Sequence, residues 1–375
     1  MLYYPTLHEQ LSDRRWDDAW VRDGIATLAA AAEAAYDEHE LWPAHEWDGF
    51  NAALPLKHLY VGAAGVVWAL DELRRRGLAS GSLDLTAAAW NALDRFRAEP
   101  DYFTGAELPE ERRSSLFGGE LGPALVAFRL SRNPEFATDV HALVLANLGN
   151  PVNDLMWGVA GSLLAARAMH RWTDDERWLD AVRCCEDALR AARDPDGLWT
   201  QQLFGRTVRI IGAAHGLVGN VTALGEVATA GDVLRQTALR DDGHVNWPTT
   251  PAGDTIRLQW CHGAPGILVH AALYLDDDLL HGAAELVWTA GPFGEEKGAG
   301  ICHGTAGNGY ALLRTFERTQ DEVWLERARS FAVHALEQTE ALPPRYSLFT
   351  GALGVALFAA DCIDATARYP VVETL

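Results

Sequence analysis

Cysteine is scarce in this chain, five in 375 residues, and the number is odd. A sparse, odd set in so long a sequence is no disulfide framework, which excludes the small stapled scaffolds of secreted proteins and suits a reducing compartment. Basic charge is also short: 31 Lys and Arg face 52 Asp and Glu, a formal net of -21. That balance argues against phosphate backbones and anionic bilayers, so neither nucleic acid nor a membrane surface is expected as a partner. No stretch reaches ~18 uninterrupted apolar residues, so no membrane span is read. Residues 1–13 lack the basic stretch and following apolar run of a signal peptide. Together these absences lead to the expectation of a cytoplasmic protein. No Pro/Gly/Ser-rich linker divides the sequence either, so a single domain over residues 1–375 is expected.

Glycine, by contrast, recurs with a rhythm. Seven times a pair spaced G-x-x-G opens an apolar run: Gly62/Gly65, Gly119/Gly122, Gly158/Gly161, Gly216/Gly219, Gly263/Gly266, Gly304/Gly307 and Gly351/Gly354. Recurrence at roughly 40–60 residues marks supersecondary units of two helices each. Each pair is followed by a helical stretch apolar nearly all round, such as Ile267-Leu268-Val269-His270-Ala271-Ala272-Leu273, as expected of a helix buried on every side. Between them lie amphipathic segments, at 19–38, 85–97, 134–148, 175–193, 232–240, 279–289 and 321–338, whose apolar residues fall three and four apart. Seven alternations of outer and inner helices predict an all-α fold, a closed α/α toroid. The glycine turns should ring one mouth of it, with free helix N–H groups pointing there. A ring without a free edge can stand as a monomer.

Two glycine turns are preceded by Cys-His, in Trp260-Cys261-His262-Gly263 and Ile301-Cys302-His303-Gly304. Cys261 and Cys302 hold the same repeat position, so a toroid brings them side by side. Two thiolates and one imidazole suit Zn²⁺, and three protein ligands with an open fourth position characterise catalytic zinc. His262 and His303 compete for the imidazole place. Cys184, Cys185 and Cys362 are expected as buried small hydrophobes. A sulfur-rich zinc site favours activation of an external thiol over amide hydrolysis, since zinc lowers a thiol pKa from ~8.5 to below physiological pH.

Other polar residues fall in register around the same mouth. His215 immediately precedes its glycine pair, like His262 and His303, and is placed to move protons. Asp154, four residues before Gly158, is placed to orient His215 or raise its pKa. Arg257, four residues before Cys261, would bring a fixed positive charge for an enolate or a substrate carboxylate.

At these residues the chain resembles the lanthionine synthetase C family, and the stand-alone LanC-like proteins more than the lantibiotic cyclases. The resemblance rests on Gly212-Ala213-Ala214-His215-Gly216-Leu217, Trp260-Cys261-His262-Gly263-Ala264-Pro265-Gly266, the run from Lys297 to Asn308, Tyr346 to Gly351, and Ala367-Arg368-Tyr369-Pro370. It is strongest from about Gly212 onward, whereas the first 150 residues share chiefly the glycine rhythm. The resemblance implies a toroid of seven inner and seven outer helices with one zinc on Cys261, Cys302 and His303. It implies catalytic roles for His215, Asp154 and Arg257. It implies Michael addition of a thiol to dehydroalanine or dehydrobutyrine in a peptide or protein, forming a thioether of the lanthionine type. Cyclases use a cysteine of the same peptide, whereas LanC-like proteins use glutathione. At His262 the chain matches the LanC-like group, since many cyclases carry tyrosine there.

Two rivals are weighed. One is a non-catalytic scaffold or sensor that binds zinc and glutathione. The other is zinc hydrolysis or sugar chemistry, and the glycosidase version needs two opposed carboxylates at the mouth, for which Asp154 and Glu120 are the nearest candidates.

Overall fold

A computed structural model describes residues 1–49, 52, 54–101, 113–203 and 205–375. In chain order its helices are α1 (Asp18–Ala34), the single turn α2 (Glu46–Gly49), α3 (Ala63–Arg75), α4 (Leu85–Ala98), α5 (Leu121–Ser131), α6 (Pro134–Ala146), α7 (Val159–Thr173) and α8 (Arg177–Ala191). There follow α9 (Leu217–Leu224), α10 (Gly231–Thr237), α11 (Ala264–Ala271), α12 (Asp277–Ala290), α13 (Thr305–Thr319), α14 (Glu322–Ala341) and α15 (Ala352–Asp364). The odd-numbered helices from α3 to α15 form the inner ring, and α1 with the even-numbered helices from α4 to α14 forms the outer one. Among the described residues no helix is long and apolar enough to cross a membrane.

The outer helices bury one stripe each. In α8 the buried residues are Trp178, Ala181, Cys185 and Leu189, and in α1 they are Val21, Ile25, Ala29 and Ala32, both at helical spacing. Side-chain caps start several of them: Asp17, Asp84, Asn133 and Asp321 each accept from a backbone N–H of the first turn. The inner helices are enclosed, and in α3 every residue from Ala63 to Asp71 is buried. Two short hairpins lie outside the helical alternation. The strands β1 (Gln201–Leu203) and β2 (Arg206–Val208) pair antiparallel, as do β3 (Leu239–Asp241) and β4 (His244–Asn246). The second hairpin overturns part of the helix expected over 232–240: α10 stops at Thr237, and Asp242 and Gly243 turn the chain with φ of 48° and 79°. Cys184 is exposed rather than buried, because it faces away from the stripe that carries Cys185.

The glycine pairs close the ring. A Cβ on the second glycine of a pair would strike the turn before the previous inner helix. It would lie 2.6 Å from Leu59 Cβ at Gly122, 3.1 Å from Leu116 Cβ at Gly161 and 3.1 Å from Leu155 Cβ at Gly219. At Gly65 it would lie 3.1 Å from Leu348 Cβ, so the last repeat packs on the first by the same contact. The turns also share hydrogen bonds. The N–H groups of Cys261, Cys302, Phe349 and Tyr60 donate in succession to the carbonyls of Cys302, Phe349, Tyr60 and Phe117, at 3.4, 2.8, 3.2 and 3.0 Å.

The expectation of free N–H groups at the mouth is corrected. In four of the glycine turns the chain folds back so that its own carbonyls take up the helix start: Ala63 N–H donates to Leu56, Leu217 to Ile210, Thr305 to Gly298 and Ala352 to Arg345, while Ala264 N–H donates to the Asn246 side chain. The helix ends are therefore satisfied internally rather than offered to a ligand.

Beneath the turns the lumen is filled by rings. Phe349 lies 5.1 Å from Tyr60, 5.3 Å from Phe117 and 6.0 Å from Trp260, centroid to centroid. Above them opens a cavity of about 610 Å³. Its wall includes Met156, Trp157 and Tyr346 beside the charged Arg257, Lys297 and Arg345.

Candidate metal centre

The two cysteines come together because their repeat positions do. Cys261 and Cys302 sit in adjacent turns joined by the hydrogen bond from Cys261 N–H to Cys302 O. With His303 they offer three ligand atoms that all lie within 4.8 Å of one another. Cys302 Sγ is 3.7 Å from His303 Nε2. Zn–S and Zn–N bonds of ~2.3 and ~2.0 Å at the tetrahedral angle place S and N about 3.5 Å apart, so the pair is already close to the spacing of one coordination edge. The donor set therefore fits zinc.

Both sulfurs are buried and both receive a hydrogen bond. Gln259 Nε2 donates to Cys261 Sγ at 2.8 Å, and the Tyr60 hydroxyl bonds to Cys302 Sγ. Burial pushes both thiols up. Cys261 nevertheless sits well below the ordinary thiol range, because the hydrogen bond from Cys302 and the neighbouring His303 and His262 favour its thiolate. Cys302 is pushed well above the range by burial and by Cys261.

Gly263 is the glycine of the set that needs its conformational freedom. Its φ is +98°, and a Cβ there would meet Arg257 O at 1.9 Å. Asn246, delivered by β4, completes this turn. Its Oδ1 accepts from Ala264 N–H at 2.7 Å while its Nδ2 donates to the Arg257 carbonyl at 3.1 Å.

His215 lines the same cavity, and its Nδ1 lies 2.7 Å from Asp154 Oδ2. Asp154 is fully buried, and its other oxygen accepts from Trp157 N–H at 2.7 Å and Gly158 N–H at 3.3 Å. The carboxylate is thereby fixed and in turn fixes the imidazole. His262 stacks on His215 at 5.8 Å between centroids. Burial pushes its pKa down to about 4, opposed by Cys261 and reinforced by His215, Arg257 and His303, so it is neutral at physiological pH. Arg257 is exposed at the cavity wall and forms no ion pair among the described residues.

All six residues singled out from the sequence thus converge on one mouth: Cys261, Cys302 and His303 as a donor set, His215 and Asp154 as a bonded pair, Arg257 at the rim. Glu120 does not join them. It pairs with Arg97 at 2.6 Å and Arg113 at 3.5 Å, away from the cavity, so the opposed carboxylates of a glycosidase are not assembled from the two named candidates. The sequence reading missed Gln259, Tyr60 and Asn246. Gln259 carried a signal, since it holds the register of Asp154, four residues before its glycine pair, and so did Tyr60, which holds the register of Cys261 and Cys302, two residues before its own. A second group joins the mouth at Asp48, whose carboxylate accepts from Arg345 Nε at 2.7 Å and from Thr350 Oγ1 at 3.0 Å.

Known proteins resemble the chain in sequence and in fold. The family profile described as lanthionine synthetase C-like protein matches residues 57–374. Glutathione S-transferase LANCL1 of Danio rerio is 32% identical over 306 residues, 68% of this chain and 73% of that protein. LanC-like protein GCL1 of Arabidopsis thaliana is 29% identical over 232 residues, 54% of this chain and 53% of its own length. Among solved structures, nisin cyclase superposes with a TM-score of 0.61 over 95% of this chain and 98% of its own, at 15% identity, a likeness of fold. With the matched profile spanning all seven glycine turns, the chain belongs to the lanthionine synthetase C-like family.

Proposed function

We propose that the protein joins a thiol to a dehydroalanine or dehydrobutyrine residue of a peptide or protein, at a zinc site held by Cys261, Cys302 and His303. The observation that carries this reading is the convergence of that donor set and the Asp154–His215 pair on one cavity of about 610 Å³. Zinc bound there supplies a thiolate at neutral pH, by lowering the pKa of an incoming thiol from ~8.5.

The chain's own residues account for the rest. The addition forms one C–S and one C–H bond and expels nothing, so the site must accommodate a transient enolate and deliver a proton to the α-carbon. Asp154 accepts from His215 Nδ1–H, which leaves Nε2 to carry that proton. Arg257 lies at the rim, paired with no carboxylate among the described residues, and offers its guanidinium to the enolate oxygen, a donor worth ~2.7–4 kcal/mol where charge develops. Gln259 and Tyr60 hold the cysteine sulfurs and draw negative charge from them. The aromatic rings beneath keep water from the floor of the site.

For the thiol we favour glutathione, on the strength of the LANCL1 relative, a glutathione S-transferase at 32% identity. Cysteine thiols kept free for metal favour a cytosolic setting. The test is intact-mass spectrometry of zinc-loaded protein with glutathione and a peptide carrying dehydroalanine and cysteine, followed by alkylation. Gain of one glutathione with the peptide cysteine still alkylatable supports this reading. Unchanged mass with no alkylation identifies a cyclase, and no product above a no-protein control identifies a scaffold that only binds.

A further inference from the structure

We propose that Tyr369 is a positioning residue for the two cysteine ligands, tying together from inside the lumen the backbone units that carry them. The inference rests on the reading of Cys261 and Cys302 as metal ligands, and it concerns a residue outside the mouth.

After α15 the chain does not leave the toroid. Ala365 turns it with φ of +51°, and Ala367, Tyr369, Val371 and Val372 are buried again. The thirteen residues of α15 carry the chain about 20 Å from the glycine turns, so this segment runs back up the lumen from the far end. It is anchored by Glu373, which accepts from Tyr369 N–H at 2.8 Å and pairs with Arg314 at 2.5 Å.

Tyr369 then makes two contacts of a particular kind. Its ring stacks on Trp260, the residue before Cys261, at 4.6 Å and 14°. Its hydroxyl donates to the carbonyl of Ile301, the residue before Cys302, at 2.9 Å. The N–H of that same peptide unit donates to Phe349 O at 2.8 Å, so the unit leading into Cys302 is held at both its oxygen and its nitrogen. Trp260 is held on a second side, its Nε1–H donating to His270 Nε2 at 3.0 Å, and His270 faces Glu373 at 3.6 Å. The direct bond between the two ligand turns, Cys261 N–H to Cys302 O, is long at 3.4 Å. Tyr369 supplies the second tie. Metal–ligand distances tolerate only ~0.2 Å, so a tie of this kind acts on affinity and geometry as well as on packing.

Two variants separate the contacts. Tyr369→Phe keeps the stack and loses the bond to Ile301, whereas Tyr369→Leu loses both. Tyr310→Phe serves as control, since it keeps the ring contact of residue 310 with Tyr369 at 5.2 Å and removes only a buried hydroxyl, bonded to Asp361 at 3.1 Å, that touches neither ligand unit. Metal affinity is measured by chelator competition, and site geometry by the thiolate charge-transfer and ligand-field bands of the cobalt(II) form. The expected result is a loss of roughly 10–100-fold in affinity for Tyr369→Leu, a smaller loss with shifted bands for Tyr369→Phe, and neither change in the control. Wild-type affinity and bands in Tyr369→Phe overturn the proposal even where melting temperature falls, and that variant decides alone where Tyr369→Leu does not fold. Equal losses in Tyr310→Phe overturn it as well, by showing a general packing effect. Absence of thiolate bands from the wild-type cobalt form refutes the metal reading itself, and the proposal with it.

Discussion

His215 gains its meaning from Asp154, and Asp154 from two backbone N–H groups. A carboxylate that accepts from Trp157 and Gly158 while fully buried is rigid, so the imidazole it holds has one orientation and one tautomer. Asp154→Asn should therefore cut turnover by ~10²–10⁴-fold with zinc content unchanged, as read by product mass and metal analysis of the same sample. Cys302→Ala should remove zinc retention and turnover together, which the same two measurements report. His262 makes a different prediction. Its folded pKa of about 4 lies below the ordinary 6.5, so the unfolded chain takes up a proton first as pH falls. Its contribution to stability is present above 6.5 and is lost as pH drops through 4, on the order of 3 kcal/mol across the window. Urea melts of metal-free protein at a series of pH values should show this decline, and His262→Gln should flatten it. At this scale the sequence was legible where register did the work: Cys261, Cys302 and His303 are side by side because turns repeat. Tyr369 was not, since nothing near it in sequence indicates that it reaches the turn of Cys302.

Among the elements, the glycine turns read most clearly and were most misread in detail. Their spacing predicts helix starts correctly, and the helices begin at or just after the first glycine of each pair. The reason for the second glycine is visible only in three dimensions: Gly122 admits the Leu116 carbonyl of its own turn and the Leu59 side chain of the preceding repeat. Gly122→Ala should lower stability by ~1–3 kcal/mol, since the obstacle is backbone and cannot rotate away. Gly231, at the start of α10 with φ of -53° and nothing within 4 Å of a Cβ, should behave oppositely, and Gly231→Ala should raise stability by ~0.4–1 kcal/mol. Melting the two variants beside the parent protein checks both signs. The hairpins went unread for a related reason. Segments 201–208 and 239–246 are short and polar, with no apolar period to announce them, yet β4 sets the Asn246 that completes the turn of Cys261.

For the molecule as a whole, the fold is held by the ring of repeats. The contacts between repeats are apolar and continuous, and they include the closing contact of Leu348 with Gly65. Stripping zinc with a chelator should leave the far-ultraviolet dichroism of the helices intact and lower only the melting temperature, by the linkage of a bound ligand. Collapse of the helical signal would assign the metal a structural role instead. The architecture was readable as a count of repeats, whereas the return of residues 367–375 into the lumen was not, because that segment repeats nothing. The number of repeats has one more consequence. Seven is odd, so in a heptagon of turns no corner looks straight at another: the edge between Cys261 and Cys302 faces the single corner of Phe117. Side chains at the same position of neighbouring corners, such as Cys261 and Cys302, therefore lie side by side along the wall. Chemistry is thereby driven to the wall, as the adjoining turns of His215, His262 and His303 display, and the opposite side of the mouth is left as room for whatever enters.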